Sequence, residues 1–183
     1  MKKESAIIHI DGDSFFVSCE LLARPDLRGR AVITGGERGI ASAMNAEAKA
    51  LGITRGKPVF EIKKELPQVV ILESNFGLYE SYNARMLSIA KRFSDTVENY
   101  SIDECFVDVT DVGATWQEKV EIAQALKETL KRELGLTFSL GLAPTKTLAK
   151  VASKNKKPDG FTAMLQEDIE NFLKDRKSTR LNS

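Results

Sequence analysis

The chain has 183 residues, of which 42% are hydrophobic and 29% charged, with 27 Lys and Arg against 26 Asp and Glu. That length suits one domain or one and a half, and the composition excludes a disordered or membrane-embedded chain. A net charge of +1 gives no general attraction for a polyanion, so a nucleic-acid partner would have to be held by local basic patches.

Met1-Lys2-Lys3 begins like a signal peptide, but Asp11 stops the apolar stretch Ala6 to Ile10 before it could act as one, and no other run approaches membrane-spanning length. The chain is therefore expected to be cytoplasmic, with no membrane partner. Residues 5–11 read as a first strand carrying His9, the single histidine, whose expected role is strand packing rather than metal ligation. A helix follows over 14–21, with Asp13 as its N-cap. Phe15 and Phe16 are adjacent, so one is expected in the core and the other toward the acids at the end of the strand. Cys19 and Cys105 are far apart and lack metal-ligand spacing, which argues against a disulfide framework.

From Arg24 the chain becomes turn-rich and basic. Short strands are expected at 31–34 and 40–43, a short helix at 45–51 closed by Gly52, an amphipathic segment at 59–66 and a strand at 69–72. Residues 24–73 thus look like a small subdomain inserted into the core. A long amphipathic helix over 76–93 follows, then a hairpin of strands 96–100 and 105–109. A second long helix runs from Thr115-Trp116 to about 134, and a strand covers 137–142. A helix beginning at Pro144 carries Lys146, Lys150 and Lys154 on one side, either a solvated face or a phosphate contact. A short edge strand at 161–164 and a final helix at 166–174 complete the chain. With the insert set aside, the order is strand, helix, strand, strand, helix, strand. That is the α+β, ferredoxin-like arrangement, an antiparallel sheet with helices on one face.

The most informative stretch is Tyr100-Ser101-Ile102-Asp103-Glu104-Cys105-Phe106. Two adjacent carboxylates interrupt an apolar alternation, and they can share one site only where the backbone turns. Ile7 to Asp13 is a second apolar strand ending in acids. Carboxylates brought close repel unless a cation or a proton neutralises them. All-oxygen ligands favour Mg²⁺ or Mn²⁺, and such a site fits phosphoryl or nucleotidyl transfer. The plainer alternative is a set of solvated turn acids.

Three motifs together resemble the Y-family translesion DNA polymerases of the UmuC/DinB group: His9-Ile10-Asp11-Gly12-Asp13-Ser14-Phe15-Phe16, Tyr100-Ser101-Ile102-Asp103-Glu104, and Gly141 to Lys150. A fourth, Asn45-Ala46-Glu47-Ala48-Lys49-Ala50-Leu51-Gly52, looks closer to the UmuC branch than to the DinB branch. The resemblance runs from about residue 5 to 165. It implies a palm made of 1–23 and 74–165, a fingers subdomain at 24–73, and the start of a thumb or linker at 166–176.

The resemblance also implies two Mg²⁺ ions, or Mn²⁺ in their place, bound by Asp11, the Gly12 carbonyl, Asp103 and Glu104, with Asp103 and Glu104 catalytic. Phe15, Phe16, Lys49 and Lys157 would line the nucleotide, with Phe16 as the steric gate against a ribose 2′-OH. Lys146, Lys150 and Lys154 would face DNA. Implied partners are primer–template DNA, deoxynucleoside triphosphates and, for a longer parent, a sliding clamp; the implied setting is lesion bypass in DNA repair and the SOS response.

Two departures stand out. DinB-type enzymes place a tyrosine and an arginine on the triphosphate where this chain has Ala46 and Lys49, which removes a phenolic donor and a planar fork. Beyond the palm, Lys177 to Ser183 has no apolar period and matches nothing in the family, so 177–183 is expected to be a non-native tail on a truncated fragment. Two alternatives stay open: a non-catalytic palm acting as an adaptor in a damage-response complex, and a nucleotidyl cyclase, for which the 101–104 turn lacks the expected glycines.

Overall fold

The computed structural model describes residues 5–165. The expected helix at 166–174, the thumb or linker at 166–176 and the tail at 177–183 lie outside the described residues.

Ile7–Gly12 (β1) is buried along its whole length at the centre of a five-stranded sheet, apolar on the side of Ile8 and Ile10 and carrying His9 and Asp11 beside Ile7 on the other. Val97–Asn99 (β5), Glu104–Asp108 (β6), Phe138–Ala143 (β7) and Phe161–Ala163 (β8) complete that sheet in the order β5-β6-β1-β7-β8. β1 pairs antiparallel with β6 and β7, while β8 joins β7 in parallel. The four-strand core has the expected ferredoxin-like order, and the parallel edge strand is an addition to it.

Strand alternation decides what each face carries. Ile8 and Ile10 point with Cys105, Val107, Leu140 and Leu142 into the main core, under Phe76–Ala90 (α4) and Trp116–Leu134 (α5). Ile7 and Phe106 point the other way, against Ala149 and Ala152 of Lys146–Ser153 (α6). Helices therefore cover both faces, not the single face expected. α6 lies close against β7 because Gly141 has no side chain: a Cβ there would stand 2.1 Å from the Ala149 carbonyl oxygen. α5 starts where expected, with a capping box between Thr115 and Glu118, and ends at Gly135 in the left-handed region.

Residues 32–72 build a separate three-stranded sheet, Val32–Thr34 (β2), Ala43–Met44 (β3) and Val70–Leu72 (β4), in the order β3-β2-β4. Two short helices, Ala46–Ala50 (α2) and Val59–Glu65 (α3), pack on it around Ile33, Ile53 and Ile62. The strand expected at 40–43 lies later, at Ala43–Met44, and Ile40 makes only one bridge, to Pro58. Gly39 in the left-handed region turns the chain there and delays the strand. Phe15–Ala23 (α1) links the two sheets, Val17 meeting Leu27 and Val32. Among the described residues no helix is long and apolar enough to cross a membrane.

Asp13 does not cap α1. The N-cap position is Ser14, at φ 47°, with no side-chain hydrogen bond to the helix, because the Asp13 carboxylate is turned to other donors described below. Pro144 likewise stands before α6, whose cap is Thr145 accepting from the Leu148 N–H.

Candidate active site

Antiparallel pairing of β1 with β6 sets Asp11 directly opposite Glu104. Glu104 is the first residue of β6 rather than part of the turn, so the alternation places Asp11, His9, Glu104 and Phe106 on the face toward α6. Asp103 precedes the strand, and its carbonyl accepts the Gly12 N–H at 2.9 Å, which ties the two acid-bearing segments together. All four residues expected to bind metal thus meet at one end of the sheet.

Their side chains are engaged by other partners. Lys157 Nζ donates to Asp11 Oδ1 at 2.5 Å and Lys150 Nζ to Glu104 Oε2 at 2.7 Å. Ser101 Oγ donates to Asp103 Oδ1 at 2.9 Å, drawing that carboxylate into its own turn. Among the described residues no group of three or more His, Cys, Asp or Glu side chains is arranged to hold a metal ion. The placement of the acids agrees with the sequence expectation; convergence of their oxygens on one point does not appear, because two ammonium groups and a hydroxyl take those oxygens.

Charge explains why. Burial pushes the Asp11 pKa above the ordinary carboxylate value; Lys157 opposes this, while Glu104 and Asp103 add to it. Burial works against the Lys150 ammonium, but the Glu104 carboxylate holds its pKa above the usual lysine value. The same repulsion that raises Asp11 would be relieved by a divalent cation, and three carboxylates with a backbone carbonyl are the donor chemistry a hard cation takes. The residues fit such an ion by chemistry and neighbourhood.

His9 stands behind the acids, fully buried, its ring 4.7 Å from that of Phe106 and its Nδ1 2.8 Å from Ser153 Oγ. Its Nε2 lies 3.9 Å from Glu104 Oε2. Burial first, then the nearby lysines, push the imidazole pKa down to about 3, so the ring is neutral and this is no ion pair.

The acids form one wall of an open pocket of about 720 Å³, also lined by Phe15, Phe16, Lys49, Arg55, Lys154 and Lys157. Phe15 is buried in the core and Phe16 half-buried, so the two rings divide as expected. Phe16 is stacked flat on Tyr79, centroids 4.4 Å apart and planes 8° from parallel. Tyr79 is fixed in turn by donating to Glu20 Oε1 at 2.7 Å. Lys49 reaches over from α2 to donate to Ser14 Oγ at 2.9 Å.

The three lysines on and just after α6 do not act alike. Lys150 belongs to the acid site, and its ammonium also lies 4.3 Å from the Tyr100 ring centroid. Lys146 is paired with Glu98 and sits outside the pocket. Lys154 lines both the pocket and an adjoining cleft with Tyr100, Phe106 and Lys146. Sequence reasoning missed Arg55 and Tyr79. Arg55 had only one signal, a basic residue in the turn between Gly52 and Gly56, and Tyr79 reads from its spacing as ordinary core.

Comparisons with known proteins place the whole chain rather than single side chains. The sequence profile described as IMS, the impB/mucB/samB family, matches residues 10–154. DNA polymerase IV of Streptococcus pneumoniae serotype 4 is 39% identical over 174 residues, covering 92% of this chain and 49% of that protein. DNA polymerase IV of Francisella philomiragia is 37% identical over 178 residues, covering 96% of this chain and 51% of that protein. The chain spans about half the length of these curated relatives. Among solved structures, an insertion ternary complex of Dbh DNA polymerase superposes with a TM-score of 0.85 at 27% identity, covering 92% of this chain and 51% of that one. DinB from Sulfolobus solfataricus gives 0.84 at 26% identity, covering 92% and 50%. The chain belongs to the impB/mucB/samB family, within the Y-family polymerase group.

Proposed function

We propose that residues 5–165 carry the nucleotidyl-transfer half of a translesion DNA polymerase, acting on primer–template DNA and deoxynucleoside triphosphates. Residues 1–23 and 74–165 serve as palm, and 24–73 as fingers. The observation that carries this reading is the pairing of Asp11 opposite Glu104, with Asp103 joined through its carbonyl to Gly12, beside a pocket walled by Phe16 and basic side chains.

In this reading Asp11, Asp103, Glu104 and the Gly12 carbonyl hold the divalent ions. When bound, Mg²⁺ supplies Lewis-acid stabilisation of the attacking and leaving oxygens in an in-line displacement. The chain's own side chains bind and orient. Lys49 and Lys157, both lining the pocket, neutralise triphosphate charge. Phe16, held flat on Tyr79, is a rigid wall for the sugar. Lys154, and Lys146 once freed from Glu98, hold primer phosphates along the cleft, a contact that weakens as salt rises. Cytoplasmic lesion bypass in the SOS response, with a sliding clamp as partner of the longer protein, is the setting this reading implies.

The test exchanges residues 5–165 for the matching half of the pneumococcal DNA polymerase IV and measures Mg²⁺-dependent primer extension. The exchange protein should extend primers, and Asp103→Asn should reduce the rate by at least about 10²-fold. Undiminished extension by that variant contradicts the site assignment.

A further inference from the structure

Lys157 sits in a loop, Lys156 to Gly160, and a lysine on a free loop could not hold its ammonium at one point in the pocket. Several contacts fix this loop, and one of them, direct and through Ser139, comes from Asp13, an acid buried just past the end of β1 to which neither the metal set nor the helix cap gives a role. Asp13 Oδ2 accepts the Asp159 N–H at 2.7 Å, and Asp13 Oδ1 accepts the Ser139 hydroxyl at 2.8 Å. Ser139 Oγ in turn accepts the Gly160 N–H at 3.4 Å.

From the far side, Lys127 and Lys131 of α5 both pair with the Asp159 carboxylate, Lys131 at 2.6 Å. Gly160 lets the loop close on itself, since a Cβ there would stand 2.0 Å from the Lys156 carbonyl oxygen. The outcome is an ammonium held 2.5 Å from Asp11 Oδ1 and 3.8 Å from Asp13 Oδ1.

We propose that Asp13 is a positioning residue for Lys157: its carboxylate, bonded to the Asp159 N–H and the Ser139 hydroxyl, clamps the 156–160 loop so that the Lys157 ammonium is presented to the triphosphate of an incoming nucleotide. This rests on the nucleotide reading of the pocket given above. The nearness of both acids to one ammonium supports it. Asp11 and Asp13 both face the Lys157 ammonium, so the first acid marks the reacting centre and the second, two residues on, fixes the cation that serves it. Buried hydrogen bonds to a carboxylate are strong and directional, which suits a clamp. Asp159, through α5, is the outer half of the same device.

The experiment is calorimetric titration of this chain with dATP in Mg²⁺, with folding checked by circular dichroism. Lys157→Ala and Asp13→Ala should each weaken binding by about 10-fold. The double variant Asp13→Ala/Lys157→Ala should bind no more weakly than Lys157→Ala alone, because Asp13 acts only through that lysine. Asp13→Asn keeps an oxygen for the Asp159 N–H and an amide that donates to Ser139, so it should bind within about twofold of the unmodified chain.

If Asp13→Ala fails to fold, Asp159→Asn, whose left-handed backbone asparagine tolerates, takes its place and should weaken binding through Lys157 in the same non-additive way. The clamp is overturned if Lys157→Ala weakens binding while the Asp13 and Asp159 variants bind like the unmodified chain. It is also overturned if the losses multiply, or if Asp13→Asn is as weak as Asp13→Ala. No binding by the unmodified chain, or none lost in Lys157→Ala, overturns the nucleotide reading itself and the clamp with it.

Discussion

Phe16 and Asp159 show how far a single side chain can be pinned by its neighbours. The face-to-face contact of Phe16 with Tyr79, backed by the Tyr79–Glu20 hydrogen bond, fixes the ring edge that a sugar would meet. Phe16→Ala in the exchange protein should therefore admit ribonucleotides about 10²-fold more readily while retaining extension with deoxynucleotides, as primer extension with each substrate would show. Burial pushes the Asp159 carboxyl up, but hydrogen bonds from Lys127 and Lys131 outweigh it and hold its pKa below the usual aspartate value. A depressed carboxylate adds stability above its unfolded pKa and loses it as pH falls through the folded one. Asp159→Asn should thus cost up to about 1 kcal/mol at pH 7, the side chain being partly exposed. Urea unfolding should show the difference disappearing as pH falls below the ordinary aspartate range. Roles of this kind were hidden in the sequence: Asp13 reads as a cap because acids before helices commonly are caps, and its true partners are more than 120 residues away.

At the scale of elements, α6 and β7 matter most. The contact between them depends on Gly141, and α6 delivers Lys150 to Glu104 and, at its C-cap, Lys154 to the pocket. Gly141→Ala should push the helix off the sheet, at a cost of about 1–3 kcal/mol, and lower the thermal midpoint accordingly. A variant as stable as the parent would contradict the close approach. Most elements were legible because their signals are local: the alternation of β6, the Thr115-Trp116 start of α5, the apolar spacing of α4 and α5. The 40–43 strand and the single helical face were misread because each turns on one glycine whose effect the hydrophobic pattern does not show. Ile40 looks strand-like until Gly39 turns the chain, and α6 looks like one more helix for the same face until Gly141 admits it to the other.

The molecule as a whole holds two hydrophobic cores joined by α1, a large one beneath the central sheet and a smaller one in the 32–72 sheet. The pocket lies where they face each other, drawing Asp11, Asp103 and Glu104 from one and Lys49 and Arg55 from the other. The ferredoxin-like order was legible from the sequence of elements, and the meeting of the acids followed from it. The engagement of their oxygens by Lys150 and Lys157 was not, since nothing in an i, i+4 lysine stripe says which member will meet a carboxylate, and Lys157 meets Asp11 from a loop 146 residues away. A site in which two ammonium groups stand on two acids should exchange them for divalent cations when a nucleotide brings its own negative charge.

The most direct test of the central claim is a titration of this chain with Mn²⁺ in the presence of dATP, followed by electron paramagnetic resonance of the free ion. The account predicts saturable binding of two ions that Asp11→Asn and Glu104→Gln each abolish or reduce to one. Ion binding that is unchanged in both variants would contradict it.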